Sequence, residues 1–140
     1  MNNTTLLGTW KLVSWEIKSA DGARRYPFGR DALGSITYTT DGFMTVSIMR
    51  AERTNFAGGD LLGGTDAEKL AAVASYLSYC GTYDTDGVQV IHHVELSLFP
   101  NWVGMDQVRL IEFTDNGFRL STHPMLLGGR EQVATLEWRR

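Results

Sequence analysis

The sequence predicts an all-β chain that closes into an eight-stranded antiparallel up-and-down barrel, with one helix between the third and fourth strands. Most of the chain alternates apolar and polar residues with a period of two, and the predicted strands are joined by short hairpin-type turns. Only one segment has helical spacing. Because closure removes exposed sheet edges, sequential antiparallel strands of this number favour a barrel. A two-sheet sandwich is the alternative that the sequence leaves open.

The first predicted strand is "TWKLVSWEI", residues 9–17, which alternates cleanly and carries a tryptophan on each face. Three hairpin turns follow at Asp41-Gly42, Asp86-Gly87 and Asn116-Gly117, dipeptides that are typical of two-residue turns between strands. The final strand is "QVATLEWRR". These turns place the intervening strands next to one another in chain order.

The one predicted helix is "TDAEKLAAVASYL", residues 65–77. Thr65 and Glu68 have the spacing of a capping box, and Leu70, Val73 and Leu77 recur at helical intervals. The preceding stretch, "RAERTNFAGGDLLGG", is polar and rich in glycine. We expect it to form a long rim loop or lid.

Composition excludes several classes of function. The 140 residues fit one domain, 1–140, and the net charge of −3 without a basic block argues against nucleic acid as a partner. No apolar run is long enough to span a membrane as a helix, and the amino-terminal stretch does not have the pattern of a signal peptide. With Cys80 as its one cysteine, the chain is predicted to be cytoplasmic.

Several stretches carry a resemblance to a known family: "LLGTWKLVSWE", "YPFGRDALGSITYTTDGFMTVSIMR", "YCGTY", "HHVELSLFPNWVG", "QVRLIEF", "LST" and "LEWRR". Together the chain resembles the lipocalin-like domain family of small bacterial and fungal proteins. The "GTW" at residues 8–10 is similar to the Gly-x-Trp opening of lipocalins. The resemblance implies that an arginine from the "WRR" end packs over Trp10. The helix position and the missing disulfide differ from secreted lipocalins.

The resemblance implies a barrel cavity that holds a small, largely apolar organic ligand without a cofactor. Related lipocalin-like proteins of natural-product pathways act as cofactor-free cyclases and isomerases, which is an analogy at the level of the fold. The first functional hypothesis is therefore proton transfer on such a ligand. The alternatives are a non-catalytic carrier or sensor, and a barrel filled by its own side chains.

The adjacent histidines of "VIHHVELSL" point to opposite faces of their strand, so they cannot serve one site. His93 shares a mixed face with Glu95, which suits either the cavity or solvent. His92 lies on the apolar face and is predicted to pack outside the barrel, under the helix or at a homodimer contact. With three histidines and one cysteine at no suitable spacing, no metal site is predicted.

Further candidates come from the strand faces. Glu16 and Ser14 share a face with Trp10, so they are expected to point into the barrel. Arg109 follows on the strand after His93 and is expected to form an ion pair with Glu95.

The predicted set for proton transfer is His93, Glu16 and Arg109, because buried or paired titratable groups in a cavity are the first candidates for that chemistry. The predicted ligand-binding residues are Tyr38, Tyr79, Trp102 and Ser14. Trp102 follows the "FPN" turn and would close one barrel end or make a subunit contact.

Overall fold

The computed structural model describes residues 6–140 and confirms the closed antiparallel barrel. The single helix, α1 (Asp66–Ala74), lies between β4 and β5, which are the third and fourth strands of the barrel wall. The strands are β1 (Gly8–Ser19), β2 (Arg24–Arg25), β3 (Leu33–Tyr38), β4 (Phe43–Met49), β5 (Tyr76–Thr85), β6 (Gln89–Ser97), β7 (Asp106–Thr114), β8 (Gly117–Ser121), β9 (Met125–Leu127) and β10 (Arg130–Arg139).

Eight strands form the wall in the order β1-β3-β4-β5-β6-β7-β8-β10, and pairing of β10 with β1 closes it. The two short strands lie outside this count: β2 pairs with β1, and β9 pairs with β10. Both belong to connections between strands of the wall. The predicted count of eight therefore describes the barrel wall.

The two ends of the barrel differ because the strands alternate in direction. The tight turns at 39–42, 86–88 and 115–116 all lie at one end, which we call the closed end. The four long connections, residues 20–32, 50–75, 98–105 and 122–129, all lie at the other, the open end.

The closed end is plugged by Trp10. Its indole Nε1 donates a hydrogen bond of 2.9 Å to the carbonyl of Leu6, and its ring meets Phe118 edge-on at 4.9 Å. The Arg140 guanidinium stacks over the same ring at 3.8 Å and donates to the carbonyl of Leu7. The expected packing of a carboxyl-terminal arginine over Trp10 is confirmed, so an internal cavity can open only at the other end.

A β-bulge in β1 changes which side chains enter the barrel. Leu12 pairs with Trp138, but the next pair in register is Ser14 with Glu137, so Val13 is the extra residue. A bulge reverses the alternation beyond it. Trp15 therefore points inward and lines the cavity, whereas strict alternation would point its neighbours Ser14 and Glu16 inward instead.

The expectation that Ser14 and Glu16 point inward is wrong for this reason. The Glu16 carboxylate lies 3.6 Å from the Arg24 guanidinium and accepts a hydrogen bond from the Tyr26 hydroxyl at 3.4 Å. Ser14 shares its face with its cross-strand partner, Glu137, whose carboxylate accepts from an exposed arginine on the outer wall. Neither residue is part of the cavity lining.

On β6 the apolar face turns inward and takes His92 with it, so the expectation that His92 packs outside the barrel is wrong, and His93 takes the solvent alternative. His92 is 1% exposed, whereas His93 lies on the outer wall. There the His93 Nδ1 lies 2.7 Å from the Asp106 carboxylate, and its Nε2 lies 2.8 Å from that of Asp84. His93 thus links β5, β6 and β7 from outside.

Replacing His93 with alanine is expected to lower the free energy of unfolding by up to about 1 kcal/mol, the range of exposed ion pairs. The hydrogen bonds that the His93 ring donates to the Asp106 and Asp84 carboxylates raise the pKa of His93 above its ordinary 6.5. Its stabilising charge is therefore complete below that ordinary value and is lost as the pH rises through the folded-state pKa. Urea unfolding of both proteins should show a larger difference at about pH 5.5 than at about pH 9.

The exposed His123 provides the matched control, because its replacement by alanine removes a histidine that forms no ion pair among residues 6–140. A loss of stability in the His93→Ala variant that is equal at both pH values would contradict the ionic role of His93.

The capping box of α1 is confirmed. The Thr65 hydroxyl accepts from the Glu68 amide at 3.1 Å, and the Glu68 carboxylate accepts from the Thr65 amide at 2.8 Å. The same carboxylate also accepts from the Ala57 amide, which ties the preceding loop to the helix. The helix ends earlier than predicted, at Ala74, because Leu77 belongs to β5 and lines the cavity.

Candidate ligand-binding site

The open half of the barrel contains a cavity. Its atom-free space, including the mouth, measures about 570 Å³, of which about 60 Å³ can be reached by the centres of water molecules. The larger figure includes open solvent at the mouth, so the enclosed space is small against the roughly 300–1,000 Å³ that is typical of small-molecule sites. A space this narrow favours a slender or planar molecule.

The cavity wall is largely apolar, and three tryptophans contribute to it. Among its sixteen lining residues only Arg109 carries a charge. The apolar and aromatic lining consists of Trp15, Ile36, Val46, Ile48, Leu77, Trp102, Leu120, Met125, Leu127, Ala134, Leu136 and Trp138. Such a wall favours a largely apolar organic ligand that is held by a few placed polar groups.

The main polar network is a chain of three buried side chains, Tyr38–His92–Tyr79. The Tyr38 hydroxyl lies 2.7 Å from His92 Nε2, and the Tyr79 hydroxyl lies 2.7 Å from His92 Nδ1. Burial, followed by the nearby positive charges of Arg109 and His93, lowers the pKa of His92 from 6.5 to about 3. Burial raises the pKa of both tyrosines. All three groups are therefore neutral at physiological pH.

Hydrogen accounting assigns the proton positions in this network. Neutral His92 has one N–H and one lone-pair nitrogen, so one tyrosine donates to it and the other accepts from it. Each tyrosine hydroxyl has His92 as its one hydrogen-bond partner among residues 6–140, but only Tyr79 lines the cavity, so the arrangement that leaves no enclosed hydroxyl hydrogen without an acceptor has Tyr38 donate to Nε2. The imidazole proton then lies on Nδ1 and is donated to Tyr79. This leaves the hydroxyl hydrogen of Tyr79, a lining residue, available to a ligand.

Arg109 is the second polar feature of the cavity. It is only 9% exposed, and its guanidinium donates to the Val108 carbonyl at 3.0 Å and to the Gln107 side-chain oxygen at 3.3 Å. Within the described part of the chain, no carboxylate lies within 4.0 Å of it. The expected ion pair with Glu95 is wrong, because Glu95 lies exposed at an irregularity in the β5–β6 pairing.

Two indole groups add donors without partners. The Nε1 atoms of Trp15 and Trp138 are buried and form no hydrogen bond within the described residues, and both side chains line the cavity. A buried donor without an acceptor costs about 1–3 kcal/mol. The unused hydrogen-bonding capacity of these side chains, at Arg109, Tyr79 and the two indoles, is therefore donor capacity, which favours a ligand with oxygen acceptors over a hydrocarbon.

The predicted site residues divide into three groups. Arg109, Tyr79 and Trp102 line the cavity; Tyr38 is buried next to His92 and is not among the lining residues; His93, Glu16 and Ser14 lie outside the cavity. The sequence reasoning missed His92, Trp15 and Trp138. The apolar neighbours of His92 on its face, Val90 and Val94, were the signal that could have placed it inside.

Other classes of site have little support in the described residues. Nowhere in residues 6–140 do three or more histidine, cysteine, aspartate or glutamate side chains form a group that could hold a metal ion. None of the helices in that range has the length and apolar character needed to cross a membrane.

Comparison with known proteins agrees with this architecture. A curated relative, the 4'-hydroxy-3'-methoxypropiophenone carrier protein ppsC of Aspergillus oryzae, is 35% identical over 106 residues, covering 69% of this chain and 96% of the relative. A solved lipocalin-like protein from Bacteroides uniformis has a TM-score of 0.50 and 12% identity, covering 97% of this chain and 98% of that chain. A protein from Bacteroides eggerthii has a TM-score of 0.47 and 15% identity, covering 96% and 98%.

The similarity to the Bacteroides uniformis structure supports the fold alone, because the identity is low. The family assignment rests on two other findings. A family model described as a lipocalin-like domain matches residues 7–140, and the fungal relative aligns over nearly its whole length. The chain therefore belongs to the lipocalin-like domain family, as its sequence resemblance predicted.

Proposed function

We propose that this barrel is a carrier that binds a small, planar, oxygen-substituted aromatic molecule in its cavity. The observation that carries the proposal is the combination of a tryptophan-lined apolar wall with the buried guanidinium of Arg109. The apolar wall supplies most of the binding energy through burial, and the donors select ligands that carry oxygen acceptors.

The fungal relative supports the same chemistry. That relative is named as a carrier of 4'-hydroxy-3'-methoxypropiophenone, an aromatic ketone with a hydroxyl and a methoxy oxygen. Such a molecule is planar at the ring and offers three oxygen acceptors to the donors of the wall. An aryl ketone of this class is therefore the first candidate ligand for this chain.

A cofactor-free isomerase or cyclase is the second candidate, since the cavity brings tyrosine, histidine and arginine together. A general acid or base works best with a pKa near the operating pH. The lowered pKa of His92 and the raised pKa of Tyr79 move both groups away from neutrality. His93 and Glu16 lie outside the cavity. These features support carriage over proton transfer.

Binding can be tested by titrating the protein with 4'-hydroxy-3'-methoxypropiophenone while following tryptophan fluorescence, because three indoles line the cavity. We expect saturable quenching with one ligand per chain. Ala134→Leu should weaken binding roughly ten-fold or more, because it fills the cavity and overlaps with the ligand, a cost of about 1.4 kcal/mol or more. Ala74→Leu, at the exposed end of α1, is the matched control and should bind normally.

A chemical readout separates the two candidate functions. After prolonged incubation with excess protein, a carrier returns the ligand unchanged on chromatography, whereas an isomerase or cyclase converts it. Conversion that Tyr79→Phe abolishes would support the enzyme and contradict the carrier. Absence of saturable binding by the whole series of hydroxylated and methoxylated aryl ketones would contradict both.

A further inference from the structure

We infer that the cavity takes its ligand as an oxyanion, a phenolate or a carboxylate, paired with the guanidinium of Arg109. This inference rests on the proposed binding function and specifies the charge state of the bound molecule. Both sources of the oxyanion share one chemistry, a negatively charged oxygen at the end of a planar apolar group.

Arg109 carries a positive charge inside the barrel that no carboxylate of the described residues balances. A guanidinium remains charged throughout the pH range in which proteins are folded, and a buried charge is costly unless it is paired. Arg109 donates to the Val108 carbonyl and to the Gln107 side-chain oxygen, and its guanidinium also lies close enough to the Tyr79 hydroxyl to act on the pKa of that group. All three neighbours are neutral. A guanidinium has five N–H donors. Donor capacity and a full positive charge therefore remain for a ligand.

The neighbouring groups do not supply the missing negative charge. The titratable side chains packed near Arg109 are Tyr79 on β5 and His92 on β6, with Tyr38 of β3 next to His92. Burial keeps both tyrosines protonated and the histidine neutral, as their pKa shifts indicate. No aspartate or glutamate is among the lining residues in the described part of the chain. The compensating anion must come from the ligand.

The donor groups on the side chains that line the cavity fit an oxyanion better than a neutral oxygen. The hydroxyl hydrogen of Tyr79 and the N–H groups of Trp15 and Trp138 have no acceptor within the described residues. Hydrogen bonds to a charged oxygen are roughly twice as strong as those to a neutral one. A phenol that enters the cavity would therefore release its proton to water and bind as the phenolate, whereas a carboxylic acid would enter already ionised.

Two pairs of probes test the inference: 4-hydroxyacetophenone against 4-methoxyacetophenone, and 3-phenylpropanoate against its methyl ester. The second member of each pair has nearly the same shape but cannot form an oxyanion. We expect the ionisable member of at least one pair to bind roughly ten-fold or more tightly than its partner, since ionic hydrogen bonds are worth about 1.5–3 kcal/mol. The pair that shows the difference identifies the source.

Absorbance gives an independent readout of the charge state, because a phenolate conjugated to a ketone absorbs at longer wavelength than the phenol. The bound hydroxy probe should show the phenolate band at pH values at which the free probe is still protonated. Arg109→Met should remove this band and reduce the affinity to that of the methoxy probe, whereas Arg109→Lys should retain part of both. Arg119→Met, which removes an arginine from the outer wall, is the matched control.

The stability of the ligand-free protein completes the test. If Arg109 awaits an anion, the Arg109→Met variant should unfold at an equal or higher temperature than the parent without ligand. A lower unfolding temperature would show that the fold itself uses the charge and would overturn the inference. Equal affinities within both pairs would also overturn it while leaving the carrier proposal intact. Failure of all four probes to bind would overturn both.

Discussion

Replacing Gly81 with alanine is expected to prevent folding or to lower the free energy of unfolding by about 3 kcal/mol or more. A Cβ atom at this position would lie 1.8 Å from the His93 carbonyl oxygen, 2.9 Å from its carbon and 3.0 Å from the Glu95 amide nitrogen. All three are backbone atoms of β6, so no side-chain rotation relieves the overlap. The two strands would have to separate.

The close approach has an identifiable cause. Gly81 lies opposite the irregularity in β6, where Cys80 pairs with Leu96 but Gly81 pairs with Val94. The extra residue, Glu95, brings the β6 backbone against β5, and only glycine leaves room for it. The measurement is urea unfolding followed by tryptophan fluorescence, or recovery of folded protein if the variant does not fold.

Gly58→Ala is the matched control, because no atom of the described residues lies within 4 Å of a Cβ at this position and the backbone conformation suits any side chain. It should change the free energy of unfolding by no more than about 0.5 kcal/mol. A Gly81→Ala protein within about 1 kcal/mol of the parent would contradict the close approach of β5 and β6.

The local sequence pattern was sufficient to predict the strands and the helix, but not to predict which face of each strand points into the barrel. In β1, strict alternation puts Trp10 and Trp15 on opposite faces, but both side chains enter the barrel because Val13 is bulged. The bulge exists only in the pairing of β1 with β10, strands at opposite ends of the chain. Nothing within residues 9–17 requires the bulge, so the sequence alone could not predict that Ser14 and Glu16 lie outside the cavity.

The β6 histidines show the same limit in a different form. The prediction that His92 and His93 point in opposite directions follows from strand geometry and is correct. Which of the two enters the barrel depends on which one finds hydrogen-bond partners there. The partners of His92 are Tyr38 and Tyr79, which lie 54 and 13 positions away along the chain. Placing His92 inside therefore required the barrel closure that brings β3, β5 and β6 around one point. Arg109 was predicted as the partner of Glu95 in an ion pair that the described residues do not form; it lines the cavity because its strand, β7, alternates without interruption.

Replacing His92 with alanine is expected to lower the free energy of unfolding by about 3–5 kcal/mol. The change removes a fully buried ring and leaves a void, and it also deprives the hydroxyls of Tyr38 and Tyr79 of their partner. The triple variant Tyr38→Phe/His92→Leu/Tyr79→Phe should recover part of this loss, because it removes the stranded polar groups together with the histidine. Equal stability of the single and triple variants would contradict the network.

The histidine also sets a pH dependence whose direction is fixed by its pKa. The folded state lowers the pKa of His92 to about 3 from an ordinary value of 6.5. Between these values the unfolded chain binds one more proton than the folded barrel, so the contribution of His92 to stability is complete above pH 6.5 and falls as the pH decreases toward 3.

His93 acts in the opposite direction, because its pKa is raised and its charge stabilises the folded state at low pH. Comparing His93→Ala with His93→Ala/His92→Leu by urea unfolding therefore isolates His92. Between about pH 7 and about pH 5, the free energy of unfolding of the His93→Ala variant should fall by about 2 kcal/mol more than that of the His93→Ala/His92→Leu variant. Equal losses in the two variants would show that His92 titrates normally in the folded barrel.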